Sequence, residues 1–409
     1  AAAAAQRLPA KAALAASLLA NAGALAALGL QPHAGLMLVS LLRAGSGLAA
    51  AFPLVFLPLW VDKFSPSEAN GRWMAIVQMG TPLGQLLGVL ATAAVKAFGR
   101  TFSGLAWRCA ILAQALLLLP ATARVLLIPR AQVDVSCAPG GRARVDSLAL
   151  YPAEASQLGQ LQGLLLEARD MLQGVGRNPL TVSLTLVLCL LHFTAAGLAL
   201  WAAPYLATGD GAPEPLVALL LSAAALACAP VAGTYAGALL CNRQDGFKAG
   251  QHAAALRVAC GFVVLAALCG PLSNWAGSFA LRLPLLASWL FAAGAFLPIS
   301  AGILMTSMPS YLRSFSSAFS LLTLHLLSFS LAPAVTAGIM GCFSRREEGL
   351  DFGVSLALWA TAPAAGLLLL AYAREPKGVV AGGLSGVDDL TFSDISYELA
   401  RRRLSTAPL

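Results

Sequence analysis

The chain alternates between long apolar runs and short breaks rich in charge, glycine and proline. Runs of about 20 residues pass without a charge, enough for a helix to cross a hydrocarbon core of about 30 Å. They do not alternate residue by residue and are about twice the length of a barrel strand, which excludes a membrane β-barrel. The pattern therefore predicts an all-α, polytopic helical membrane protein. Ten spans are drawn, at Ala12 to Leu30, Gly35 to Trp60, Trp73 to Val95, Leu105 to Leu127, Thr181 to Tyr205, Pro215 to Leu240, Ala254 to Gly270, Leu283 to Met305, Phe315 to Met340 and Phe352 to Ala373. The seventh is expected to close at Gly270-Pro271, because proline tends to end what precedes it.

Four spans come before a polar middle segment and six after it, which divides the chain into residues 1–129, a first bundle; 130–178, a cytoplasmic linker; 179–375, a six-helix bundle; and 376–409, a mobile cytoplasmic tail. The linker contains LGQLQGLLLEARDMLQ, helical in period with one apolar stripe, which predicts a helix lying on the inner membrane surface. The RRRLS of the tail suits a basophilic kinase acting on Ser405. The opening AAAAAQRLPAK has no Met and no signal-peptide layout, and with the unequal division of spans it points to a segment missing in front.

Composition agrees with the pattern: apolar residues make up 58% and charged residues 11%, against about 25% charged in a soluble domain. Cytoplasmic connections retain Lys and Arg. With the N-terminus inside, the inner connections hold Lys11, Lys63, Arg72, Arg124, Arg130, Arg243, Lys248, Arg313, Arg374 and Lys377 among others. The outer ones hold Lys96, Arg100, Arg108, Arg282, Arg345 and Arg346. The net charge of +8 is thus a topology signal and gives no reason to invoke nucleic acid. The cysteines are scattered without a CxxC, and Cys189 with His192 lacks a second pair, so neither a disulfide framework nor a metal site is supported. Walker loops and dinucleotide fingerprints are likewise missing, so ATP-driven and redox enzymes have no support and no cofactor is expected.

Polar residues inside the spans are the candidates for function. Arg43 sits about seven residues into its span, roughly 10 Å deep; it either faces a cavity or snorkels to the interface. Gln78 and Gln85 are uncharged donors and acceptors in the third span. His192 shares a face with Thr181, Thr185 and Cys189, a stripe that prefers the bundle interior, and is either hydrogen-bonded and neutral or a proton switch. His325 is read the same way. Trp201, Tyr235 and Trp289 either frame an amphipathic solute or anchor helix ends. No carboxylate lies deep in any span drawn. Gly80, Gly84 and Gly88 recur every four residues around Pro82, and Gly233, Gly237 and Pro298 repeat the style. They serve either as hinges or as plain close-packing positions.

Several of these segments resemble the major facilitator superfamily. Arg43-Ala-Gly45-Ser-Gly47 followed by Pro53 and Pro58 is similar to that family's fourth helix. The loop from Asp62-Lys-Phe-Ser-Pro66 to Arg72, Trp107-Arg108 and Pro129-Arg130 resemble its first half, and GALLCNRQDGFK (Gly237 to Lys248) resembles a cytoplasmic loop of its second, with Asn242 where an acid is usual. PLGQLLG (Pro82 to Gly88) resembles a motif of spinster-like lipid transporters, and LAPAVTAGIMG, with Pro333, is similar in kind. The resemblance implies a two-bundle architecture lacking its first two helices, and an inner gate built from Asp62, Arg72, Arg243, Lys248 and Arg313. It also implies a monomeric secondary transporter that moves a small organic or lipid-like solute by alternating access, with proton or ion coupling. Two alternatives are a ten-helix drug/metabolite exporter and a non-transporting receptor or scaffold.

Overall fold

The computed structural model describes residues 9–31, 35–66, 69–98, 106–134, 168–243, 252–308 and 312–375. The first half contains α1 (Ala10–Leu30), α2 (Leu36–Phe64), α3 (Asn70–Phe98) and α4 (Ala106–Leu127). The second contains α5 (Pro179–Ala207), α6 (Pro215–Arg243), α7 (His252–Trp275), α8 (Phe279–Thr306), α9 (Arg313–Leu324), α10 (Leu331–Met340), α11 (Arg346–Trp359) and α12 (Thr361–Arg374). Among the described residues nine helical stretches are long and apolar enough to cross a membrane, counting α9 with α10 and α11 with α12 as one stretch each. The remaining long helix, α3, has 29 residues and is more polar. The chain is an integral, multi-pass membrane protein. Of the linker, Arg130–Val133 and residues 168–176 are helical; the rest of its expected surface helix, the tail with Ser405, and Lys248 lie outside the described residues.

In the second half three helix starts and breaks have identifiable causes. Asn178 caps α5 by accepting from the N–H groups of Leu180 and Thr181 at 3.1 and 3.2 Å, with Pro179 at the first helical position, while its Nδ2 donates to Ser307 O at 3.0 Å. The seventh span does not stop at Gly270-Pro271: α7 runs on to Trp275. Ser273 Oγ donates to Gly270 O at 2.6 Å and the Tyr205 hydroxyl donates to Ser273 O at 3.2 Å, so neighbours hold the turn that the proline weakens. Between α9 and α10 the chain widens into a π-helical turn, His325–Ser330. Pro333 brings no N–H and its ring displaces the carbonyl one turn back; Ser330 Oγ instead donates to His325 O at 3.0 Å.

Packing differs between the halves. One large core joins α5, α7, α8, α11 and α12, with Trp289, Phe296, Ile299, Leu256 and Leu358 fully buried. Among the described residues the first half has small clusters, one around Phe52 and Phe56 and one around Leu25, Leu28 and Ile111. Its α1 lies between α2 and α4, joined to α2 by Ser46 Oγ donating to Asn21 Oδ1 at 2.6 Å and held at its start by Asp134, whose Oδ1 accepts from Lys11 N at 2.9 Å.

The tightest contact is α6 on α8. A Cβ placed on Gly233 or Gly237 would overlap the backbone carbonyl of Phe291 or Ala295, and one on Gly294 that of Pro230. The two backbones thus touch directly, and Thr234 Oγ1 adds a bond to Gly294 O at 3.1 Å. Around Gly80, Gly84 and Gly88, by contrast, a Cβ would meet no atom within 4 Å. The α3 helix leans on α6 and α8 with its other face, where Pro82 is buried.

Candidate functional site

A cavity of about 110 Å³ lies at the seam of the two halves, where α3 packs on α6 and α8, with α5 supplying a further wall. From α3 come Thr81, Pro82 and Gln85; from α5, His192; from α8, Trp289; and Phe329 of the π-helical turn closes one wall. The small residues Ala223, Ala227 and Pro230 form the α6 wall, spaced by four and three so that they share a face. Among the described residues no Asp, Glu, Lys or Arg lines it. The space suits a mostly apolar group with one or two hydrogen-bonding atoms, since an unpaired charge there would lose its hydration without compensation.

His192 is held from its own helix, Nδ1 lying 2.9 Å from Leu188 O. A carbonyl can only accept, so Nδ1 carries the hydrogen and Nε2 keeps its lone pair. The polar stripe that contains it runs along α5 where it faces the end of α8 and the α9–α10 line. Thr181 Oγ1 meets Ser307 Oγ at 3.2 Å, Thr185 Oγ1 meets Ser320 Oγ at 3.0 Å, and Ser328 Oγ donates to Cys189 O at 2.7 Å. Phe329 then packs edge-on against His192, with centroids 5.8 Å apart.

Of the other residues expected near a cavity, Trp201 donates from Nε1 to Thr336 Oγ1 at 3.1 Å, joining α5 to α10. Tyr235 is exposed on α6, and Gln78 lies one turn before the cavity wall. His325 is exposed on the π-helical turn, and Arg43 is exposed on α2, away from the cavity. The Trp289 indole N–H is buried without a hydrogen-bond partner; its ring edge lies against Gly270 of α7, where a Cβ would come within 3.0 Å of it. Pro298 and Pro333 lie within α8 and α10.

At the end of the molecule that the charge count places in the cytosol, Arg313 of α9 reaches across the halves to Asp62 of α2, with NH1 3.2 Å from Oδ2. Its Nε donates to Met308 O at 3.1 Å. The Asp62 side chain is 9% exposed and that of Arg313 22%, so the pair is only partly screened. Arg72 and Arg243, expected beside it, are exposed.

The opposite end carries a feature that sequence reasoning missed. Arg282 is buried at the start of α8; its Nε donates to Ala276 O at 2.7 Å, and its NH1 donates to Tyr205 O at 3.2 Å and Thr208 Oγ1 at 3.0 Å. Its guanidinium lies 4.7 Å from the centre of the Tyr205 ring. This clamp lies within the second half alone and ties the ends of α5, α7 and α8. In the sequence Arg282 is one more cation near a span end, and only the three acceptors mark it as different.

The sequence profile of the Major Facilitator Superfamily matches residues 1–333. No curated protein matches the chain. Solved structures with the same fold include a bacterial homologue of the human lysosomal transporter Spinster in an inward-facing, unoccupied conformation, at 15% identity and TM-score 0.59, covering 91% of this chain and 85% of that one. The proton:xylose symporter XylE aligns at 14% identity and TM-score 0.61, covering 92% of this chain and 82% of that one. The fucose:proton symporter FucP of E. coli aligns at 14% and 0.57, covering 91% and 85%.

Proposed function

Because the chain belongs to the Major Facilitator Superfamily and is therefore a transporter, not an enzyme, we propose that it moves a small organic or amphipathic solute by alternating access. The observation that carries this reading is the cavity at the seam of the two halves, lined mostly by apolar groups with Thr81, Gln85 and His192 among them, together with the Asp62–Arg313 ion pair that spans the halves at one end. Solute would sit in the cavity while the halves rock, and Asp62 with Arg313 would hold the cytosolic end shut. The solved relatives that are proton-driven sugar symporters support coupling to a proton. A sugar, however, asks for several hydrogen-bonding groups, and this cavity offers few. A less polar cargo fits better.

The test is uptake and efflux of a solute and lipid panel in proteoliposomes, with and without a pH gradient. Ala293→Phe, which fills the cavity from α8, is run beside the unaltered chain. Saturable flux that falls at least tenfold in a folded Ala293→Phe variant is the expected result. No flux of any panel member from folded protein would favour the receptor or scaffold alternative.

A further inference from the structure

The polar groups around the cavity differ in what they ask of a hydrogen-bonding partner. The Thr81 hydroxyl and the Gln85 amide, both on α3, can each donate or accept. His192 on α5 cannot. Its Nδ1 lies 2.9 Å from Leu188 O, so the ring hydrogen is spent on its own helix, and Nε2 is left as an acceptor with no partner among the described residues. Turning the ring over to exchange its nitrogens would break that bond. Phe329 also packs edge-on beside it at 5.8 Å and is kept there by the neighbouring Ser328, whose hydroxyl donates to Cys189 O at 2.7 Å. The unpartnered Trp289 N–H does not offset this preference, because that edge of the indole lies against Gly270 of α7, a helix that supplies none of the described lining.

We infer that the cavity selects its cargo by the direction of one hydrogen bond: it takes a neutral group about the size of a single ring that carries a hydroxyl or N–H donor, and His192 Nε2 accepts from that donor. Size follows from the walls. The cavity holds about 110 Å³, on the scale of the ~150 Å³ apolar cavity that takes up benzene. Its α6–α8 side cannot retreat, because Pro230 and Gly294, which both line it, are in backbone contact. Charge follows from the lining. With no Asp, Glu, Lys or Arg among the described lining residues, an ammonium or carboxylate on the cargo would be stripped of water without a counter-ion. The direction of the bond follows from His192. A cargo with acceptor atoms alone would set a lone pair against a lone pair and leave Nε2 unpaired. Such unpaired groups are what allow a site to reject an isostere that lacks the matching atom.

This inference rests on the reading of the cavity as the cargo site, but its test needs no transport. The full chain in lipid nanodiscs is mixed with 4-fluorophenol or 4-fluoroanisole, rings of similar size with and without the donor, and binding is read from ¹⁹F relaxation. Signal that persists in folded Ala293→Phe, whose new ring fills the cavity, measures partitioning into lipid and is subtracted. 4-Fluorophenol is expected to bind about tenfold or more tightly than 4-fluoroanisole, and neither 4-fluorobenzylamine nor 4-fluorobenzoate to displace it. In His192→Gln, whose amide offers both a donor and an acceptor, both rings should bind with a preference of about threefold or less. A ¹⁵N-histidine label reads the contact directly: the Nε2 resonance of His192, identified by its loss in His192→Gln, should move with 4-fluorophenol and stay with 4-fluoroanisole. Equal binding of the two rings, binding of neither, a preference that survives His192→Gln, or displacement by the charged rings would overturn it. Flux of the solute panel is scored separately. Donor-selective binding without flux keeps the site and removes its transport role, whereas saturable flux of solutes lacking any donor keeps the transporter and removes this inference.

Discussion

Two arginines show how much position decides. Arg313 meets a carboxylate from the other half, whereas Arg282 is buried against carbonyls and a tyrosine ring of its own half. For Asp62→Asn the expected outcome is a looser cytosolic end. Losing a partly buried ion pair costs about 1 to 3 kcal/mol, so the open population grows by about fivefold to about a hundredfold. Thiol labelling of a cysteine placed near the pair reads this, and the swapped pair Asp62→Arg with Arg313→Asp is expected to restore most of it. Arg282→Lys is expected to lower unfolding stability by about 2 kcal/mol in detergent, because an ammonium cannot reproduce the planar fork that reaches separate acceptors. Arg282→Ala should cost at least as much.

At the scale of the element, the glycines separate into two kinds that sequence spacing does not distinguish. Gly237→Ala is expected to break the α6–α8 contact and sharply reduce folded yield on size-exclusion chromatography, since its Cβ would strike the Ala295 backbone, while Gly84→Ala, with open space around it, should leave yield unchanged. Spacing of four shows that glycines share a face, but not whether another backbone reaches it. Helices, breaks and the polar face of α5 were legible because they depend on local chemistry and period. The continuation of α7 past Pro271 was not, because the support comes from Tyr205 on another helix. For the same reason His192 could be placed in the interior from its stripe, but its neighbour Phe329 could not: that contact follows from the widened turn. Pro333→Ala is expected to let the turn tighten to an α-helix, rotating Phe329 out of register with His192; loss of ring-current shifts between them in NMR would show it.

Across the whole molecule, the two halves are unequal partners. The second has the capped start at Asn178, the continuous core and the Arg282 clamp, all made from its own residues. The first has small clusters and rests α3 on α6 and α8. The all-helical, multi-pass character was readable from hydropathy, yet nothing in hydropathy ranks the halves by packing, since lipid-facing and core-facing leucines look alike in sequence. The self-sufficiency of the second half has a consequence for biogenesis. During synthesis the early spans leave the ribosome before the surface that α3 needs has been made, so they must wait in the membrane, open to quality-control proteases, until α6 and α8 arrive. Expressed alone, residues 168–409 are expected to resist limited trypsin digestion within the bundle, and residues 1–134 to be cleared rapidly unless the later half is supplied alongside.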